Sequence, residues 1–367
     1  MARGAQLPKA GIAAISSGAS QNSSAGHFFW HYLGAVRDGQ IPQNVDFRLI
    51  AGSDADHDHT IVLFSAKAHD RRFLLGIATF RDYGFSRARQ IFSEIEDQGV
   101  ETFYVYEGSL ADFALVVYLA PRFPELTFVF NFFWPQDWEK ILAKKSPLRS
   151  TLEKLIASKP PNVLFTADTP RFAEMVSEKL GARVTAFPAF SPYRFPERSQ
   201  DSSHKFDLLI TCKRPEEIEF AMSVVSSLPK RSSLRIAVQG PGGVTAHLKS
   251  LSIPSWIRIS TLGPDLDAGS YVDLLASTRV IFLAYLKNRY SLASSGKLLD
   301  GLQAGCHVLL PENSGLHSQA QSLPRTSWRT FVSSDLSVSA QALAKLLDAN
   351  SKPVPVGRGF AYLFEYL

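Results

Sequence analysis

The densest chemical content in this 367-residue chain lies at 280–316, VIFLAYLKNRYSLASSGKLLDGLQAGCHVLLPENSGL. An apolar run ends at Tyr285, and a polar loop then carries Lys287, Asn288, Arg289 and Tyr290. Ser294-Ser295-Gly296 opens a segment of helical period. The first turn of a helix presents unpaired N–H groups and the positive end of its dipole, so such a start suits an anion. Gly296 lets a phosphate approach the backbone, the two serines add donors, and Lys297 and Arg289 supply charge-assisted bonds. Gly296, Asp300 and Gln303 share one helical face at i, i+4 and i+7, while Leu298, Leu299 and Leu302 turn toward a core. Asp300 then lies one turn, roughly 5–6 Å, from the anion-binding end. A carboxylate there can accept hydrogen bonds from ribose hydroxyls. Glu312, after the run HVLLP, is a further candidate contact. The same residues also fit an ordinary capped helix with a solvated aspartate.

Two other places hold reactive side chains. The loop SSGASQNSSAG (16–26) is rich in small residues and leads into GHFFWHYLGAV (26–36), so a ligand could meet backbone N–H groups near Gly26 and His27. His27 and His31 are four apart and share a face, where either could serve as a base or acceptor contact, although an aromatic-rich helix face more often packs. DADHDHT (54–60) offers alternating carboxylates and imidazoles. Alternating residues in one loop converge poorly on an ion, so this reads as a solvated loop and no metal is expected.

The elements that must position these groups alternate along the chain. Strands are expected at 11–17, 46–52, 60–66, 102–108, 126–134, 162–168 and 183–190, with helices at 26–36, 85–99, 110–120, 136–157 and 170–181. The segment 193–206 is polar and without period, which marks it as a linker. Beyond it come strands at 207–212, 234–240, 257–261, 280–285, 307–311 and 328–333, interleaved with helices at 215–228, 244–251, 270–278, 295–305 and 339–349. Two βα arrays predict an α/β fold of two doubly wound Rossmann-like domains, with parallel strands joined by crossover helices. Ligands of such sheets bind beyond the carboxyl ends of the strands, and a cleft between the two lobes is the expected site.

Composition closes other routes. Hydrophobic residues are 45%, charged residues 20% and the net charge +5, which excludes disorder. Cys212 and Cys306, both in apolar runs, exclude a disulfide scaffold and suit a reducing compartment. No apolar run reaches the ~18–20 residues of a membrane span, and the five-residue run GIAAI is too short for a secretory signal. The expected location is cytoplasmic, with a basic balance compatible with resting on the inner face of a membrane. The absence of a dense Lys/Arg run argues against nucleic acid.

The ordered succession of motifs over 205–350 resembles the C-terminal lobe of the GT-B glycosyltransferases, specifically the retaining nucleotide-sugar family 4. LLDGLQAGCHVLLPENSGL is similar to that family's acidic helix, following strand and Gly-containing loop; LLITCKRPEE, LRIAVQGPGG and TLGPDLDAGSYVDLLASTRVIFLAY resemble the preceding segments. The resemblance implies a GT-B architecture, with 1–195 as an N-terminal acceptor-side domain and 205–367 as a C-terminal donor-side domain. It implies a hexosyltransferase-like enzyme of polysaccharide biosynthesis that moves a sugar from a nucleotide diphosphate to a glycan or lipid-linked acceptor, with retention and without metal or cofactor. Asp300 stands where the family binds the donor ribose. Lys213 and Arg214 stand where it keeps a basic clamp on the diphosphate. His27, Lys213 and Arg289 are the implied catalytic groups; Arg214, Ser294, Ser295, Gly296, Lys297, Asp300 and Glu312 the donor contacts; Gly26 and His31 the acceptor side. One departure bears on activity. The family's first acidic residue falls on Leu292, which leaves open a divergent GT-B protein that binds or epimerises a nucleotide sugar without transfer.

Overall fold

The computed structural model describes residues 10–16, 45–52, 60–64, 100–108, 113, 116–117, 119–133, 135–143, 152–154, 156–157, 161–186, 193–196, 204–286 and 290–349. Two parallel sheets organise them. In the first, β1 (Ala10–Ser16), β2 (Val45–Gly52), β3 (Thr60–Phe64), β4 (Val100–Gly108), β5 (Thr127–Phe132), β6 (Val163–Ala167) and β7 (Thr185–Ala186) run in the order β3-β2-β1-β4-β5-β6-β7. In the second, β8 (Phe206–Thr211), β9 (Leu234–Gln239), β10 (Ile257–Leu262), β11 (Thr278–Leu283), β12 (His307–Pro311) and β13 (Trp328–Phe331) run β10-β9-β8-β11-β12-β13. The second order is 3-2-1-4-5-6 in chain terms, the Rossmann order, and its direction reverses between β8 and β11. The chain thus folds as two Rossmann-like domains.

Most described aromatic residues of 113–134 are buried in the first domain. Phe113, Phe130, Phe132 and Phe165 are buried around Trp138 of helix α1 (Pro135–Ile141). Phe132 meets Trp138 edge to face at 4.7 Å, and the Trp138 Nε1–H donates to the Gly108 carbonyl at 3.2 Å. Such a pair adds about 0.5–1.5 kcal/mol beyond its buried area. Helix α2 (Pro170–Leu180) begins as its sequence foretells: Thr169 accepts from the Phe172 N–H, Pro170 takes the first position, and Gly181 closes the helix at φ 64°.

The second compact unit spans Pro188–Gly359; of the segment 193–206 expected as a linker, residues 197–203 lie outside the described residues. Tyr193 and Phe195 pack against its core, and the Gln303 Nε2 donates to the Tyr193 carbonyl at 3.1 Å. Two aromatic anchors outweigh the polar residues around them. Both faces of this sheet are buried. Leu208, Ile210, Val280 and Phe282 point into one cluster, and their neighbours Leu209, Ile281 and Leu283 into the other. That explains near-continuous apolar strands.

Six helices cover the sheet: α3 (Pro215–Ser226), α4 (Gly242–Leu248), α5 (Ala268–Ala276), α6 (Gly296–Gln303), α7 (Gly315–Ala320) and α8 (Leu336–Leu347). The sequence shows no period for α7, because six residues are too few to display one. Gly301 of α6 seats on the Ile281 side chain of β11. Gly315, at the start of α7, lies against backbone: a β-carbon there would fall 2.5 Å from the Ala293 carbonyl oxygen and 2.6 Å from that of Leu292. The loop leading into α6 therefore rests on a glycine. Gly315→Ala should lower the thermal midpoint of the protein by displacing that loop, at a cost of about 1–3 kcal/mol, whereas Gly243→Ala, where nothing lies within 4 Å, should leave it unchanged.

Candidate functional site

Six helices follow the six strands of the second sheet, and their first turns differ. In α5, α7 and α8 the residue before the helix caps it: Asp267 accepts from the Ser270 N–H, Ser314 from His317 and Asp335 from Val338. In α3, α4 and α6 no side chain caps the start. These three follow β8, β9 and β11, the strands at and beside the reversal of strand order. Uncapped first-turn N–H groups are therefore concentrated at the carboxyl ends of the central strands, where sheets of this type take anions.

Ser295 is the residue before α6, and its hydroxyl is directed to the buried Tyr285 phenol rather than to its own helix. Two ammonium groups stand at the same place. Lys297, in the first turn of α6, donates to Gln239 Oε1 at 2.7 Å, and Gln239 Nε2 donates in turn to the Pro264 carbonyl at 3.2 Å. Burial and the neighbouring Lys213 charge push the Lys297 pKa down to about 8, against a smaller pull from Asp300. Lys213 follows β8. Its backbone N–H donates to the buried Glu217 carboxylate at 2.7 Å, and its ammonium lies 6.0 Å from the Tyr290 ring centroid. Tyr290 in turn stacks on Tyr285, centroids 4.1 Å apart and planes 11° apart. The Cys212 thiol beside them is pushed up to about 12 by burial and by Glu217, so it stays protonated and is no nucleophile.

Asp300 is buried, 5% exposed, and accepts from the Tyr271 hydroxyl at 2.9 Å. The Tyr271 ring packs on Tyr193 at 5.1 Å. The alternative of a solvated aspartate does not hold, because α6 turns this residue inward. Gly296 keeps a way to it: a β-carbon at 296 would meet nothing nearer than Asp300 Oδ2, at 3.9 Å. Bare exposed backbone thus lies one contact from a buried carboxylate.

Lys213, Ser295, Gly296, Lys297 and Asp300 are placed around the start of α6, and Ser294 immediately precedes them, half-buried. Arg214 stands just before α3 with a half-exposed side chain whose Nη1 lies 3.9 Å from Glu216 Oε1. Glu312 is exposed after β12 and lines a different cavity from the α6 corner. Leu292 is buried, 7% exposed. Gly26, His27, His31, Arg289 and the run 54–60 lie outside the described residues. Among the described residues no cluster of three or more His, Cys, Asp or Glu could hold a metal ion, and no helix is long and apolar enough to cross a membrane. Sequence reasoning missed Gln239, Tyr271 and Glu217 as site members. Only Glu217 carried a local signal, as the third residue of a helix opened by Pro215, where a glutamate reaches back to the preceding backbone.

No protein-family model matches the sequence, and no curated protein matches it. Solved structures do match in fold. A putative UDP-N-acetylglucosamine 2-epimerase from Listeria monocytogenes superposes with a TM-score of 0.55 at 13% identity, covering 98% of this chain and 95% of that one. The N-terminal domain of Candida albicans trehalose-6-phosphate phosphatase gives 0.57 at 12% identity, over 94% and 92%. A trehalose-6-phosphate structure from E. coli bound with UDP-2-fluoro glucose gives 0.53 at 11%, over 93% and 92%. The fold is of the GT-B class.

The strained charge of Lys297 makes a stability prediction. Its pKa is near 8 in the folded protein against about 10.4 in an unfolded chain. Below pH 8 both states hold the proton and the folded state bears the penalty; between pH 8 and 10.4 the unfolded state binds more protons, so stability rises with pH. Lys297→Met should therefore raise the unfolding free energy at pH 7 by on the order of 1 kcal/mol. The advantage over wild type should shrink in melts recorded from pH 8 to 10.

Proposed function

We propose that this chain is a glycosyltransferase that moves a sugar from a nucleotide diphosphate donor to an acceptor hydroxyl, with retention of configuration and without a metal ion. The carrying observation is the coincidence of two ammonium groups, Lys213 and Lys297, with uncapped helix starts at the carboxyl ends of β8 and β11. The diphosphate would sit against the first turn of α6, over Gly296. Asp300 would accept from the ribose through the gap that Gly296 leaves open. As the bond from the sugar to the diphosphate breaks, negative charge grows on the leaving group. Fixed lysines and a helix dipole stabilise that charge more than they stabilise the bound donor. They would supply here the positive charge that a metal ion provides elsewhere.

Arg214, Ser294 and Ser295 would add donor contacts, and Arg289, outside the described residues, is the further basic group proposed for the leaving diphosphate. The acceptor side falls to Gly26, His27 and His31, with His27 as the base. Inheritance of the acceptor type, a glycan or lipid-linked hydroxyl near a membrane face, follows from the family resemblance.

A second reading has one observation in its favour. Leu292 occupies the place of an acidic sugar contact and its side chain is buried, which suits a protein that binds or epimerises a nucleotide sugar without transferring it. Product analysis with and without acceptor separates the two: hexose transferred to acceptor supports transfer, and a new sugar epimer formed without acceptor supports the second.

Calorimetric titration with UDP, GDP and ADP tests the shared premise. At least one should bind, with Lys213→Ala and Gly296→Val each weakening it about tenfold or more while circular dichroism stays unchanged. Binding at pH 8 should take up a proton, because an anion raises the Lys297 pKa, and the measured heat should then vary with the ionisation heat of the buffer. Failure of all three nucleotides to bind at millimolar concentration would overturn the proposal.

A further inference from the structure

An aspartate does not fix the plane of its own carboxylate, because its terminal torsion is broad and has no staggered well. The direction of its lone pairs depends on what donates to it. Tyr271 is such a donor to Asp300, its hydroxyl reaching Oδ2 at 2.9 Å. Oδ2 is also the oxygen that a β-carbon at Gly296 would meet at 3.9 Å, so the tyrosine addresses the side of the carboxylate that faces the helix start. Both partners are buried, Tyr271 being 8% exposed. Burial, and after it the Asp300 charge, hold the phenol well above its ordinary pKa, so it stays protonated and donating at neutral pH.

The tyrosine is itself held from two directions. It lies in the first turn of α5, which Asp267 caps by accepting from the Ser270 N–H at 2.9 Å and the Ser270 hydroxyl at 2.6 Å. The Tyr271 N–H donates to the Asp267 carbonyl at 2.9 Å. On the other side its ring packs on Tyr193, centroids 5.1 Å apart and planes at 58°. The Tyr193 carbonyl accepts from the Gln303 Nε2 at 3.1 Å, and Gln303 lies one turn beyond Asp300 on α6. The contacts therefore close on themselves, from Asp300 through Tyr271, Tyr193 and Gln303 back along the helix to Asp300. A circuit of this kind restrains the carboxylate more than a single bond does, since one member cannot move without the others. Fastening α5 to α6 does not by itself call for a buried charge, which costs more than a well-packed apolar contact of similar volume.

We infer that Tyr271, braced by Tyr193, is a positioning residue that sets the Asp300 carboxylate to receive ribose hydroxyls, and that the site thereby selects ribonucleotides over deoxyribonucleotides. The inference rests on the reading of the α6 corner as a nucleoside diphosphate site. It goes further in naming the residue that orients the ribose contact and the ligand property that contact discriminates.

Calorimetric titration of the full chain with UDP, GDP and ADP, and with their 2′-deoxy and 3′-deoxy forms, reads the effect directly. Wild type should bind its ribonucleotide about tenfold more tightly than at least one deoxy form. Tyr271→Phe removes a single oxygen; it should cut that preference to about threefold or less and leave the deoxy affinity within about twofold. Tyr193→Ala should also cut the preference, whereas Tyr193→Phe, which keeps the ring, should retain it. That second pair decides the question if Tyr271→Phe loses its native circular dichroism. Equal weakening of both ligand forms by Tyr271→Phe would mark a merely structural tie and overturn the inference, as would an unchanged preference. A wild-type protein that binds both forms alike overturns it while leaving the diphosphate site standing. No binding of any nucleotide at millimolar concentration overturns both.

Discussion

Two lysines held together at the positive end of a helix are an unfavourable arrangement without an anion. Lys297 sits in the first turn of α6, where the dipole opposes a cation, and Lys213 adds a like charge. Around the pair stand the neutral acceptor Gln239, the buried Glu217 carboxylate that accepts from the Lys213 backbone, and the more distant charge of Asp300. Destabilised charge of this kind is often the mark of a site whose binding partner supplies the missing charge. The rest of the second domain can be understood as the frame that keeps the two ammonium groups from moving apart.

That frame is layered. The Rossmann order brings β8 and β11 side by side although 66 residues separate Thr211 from Thr278. Glu217 then ties the Lys213 backbone, the Gly315 contact supports the loop before α6, and Gly301 lets α6 settle onto β11. Capping follows the same plan. The outer helices spend a Ser or Asp side chain on their first turn, while the helices at the reversal of strand order leave theirs open.

Much of the fold was legible in the sequence. Strand after strand of the second domain begins and ends within a few residues of its expected range, since the central strands are buried on both faces and are dominated by Val, Ile, Leu and Phe. The Pro170 and Gly181 boundaries of α2 were visible for the same local reason. Two features were not. The polar composition of 193–206 gave no sign that Tyr193 and Phe195 pack against the core of the second unit, because composition averages over a segment while packing depends on single side chains. Helix α7 is too short to show a period, although its Ser314 cap and Gly315 contact hold the loop in front of α6.

For the candidate site, local sequence determined the kinds of groups and their spacing on one helix: Gly296, Lys297 and Asp300 are near because an α-helix repeats every 3.6 residues. Residue types alone also suggested an anion at that helix start. Only the tertiary structure decided which way each group faces and what stands opposite. It turned Asp300 inward to Tyr271, brought Gln239 from 58 residues away to Lys297, and set Glu312 in a cavity apart from the α6 corner. Those pairings join different strands and helices, and a chain fixes such contacts through the packing of the whole sheet rather than through any pattern within a few turns.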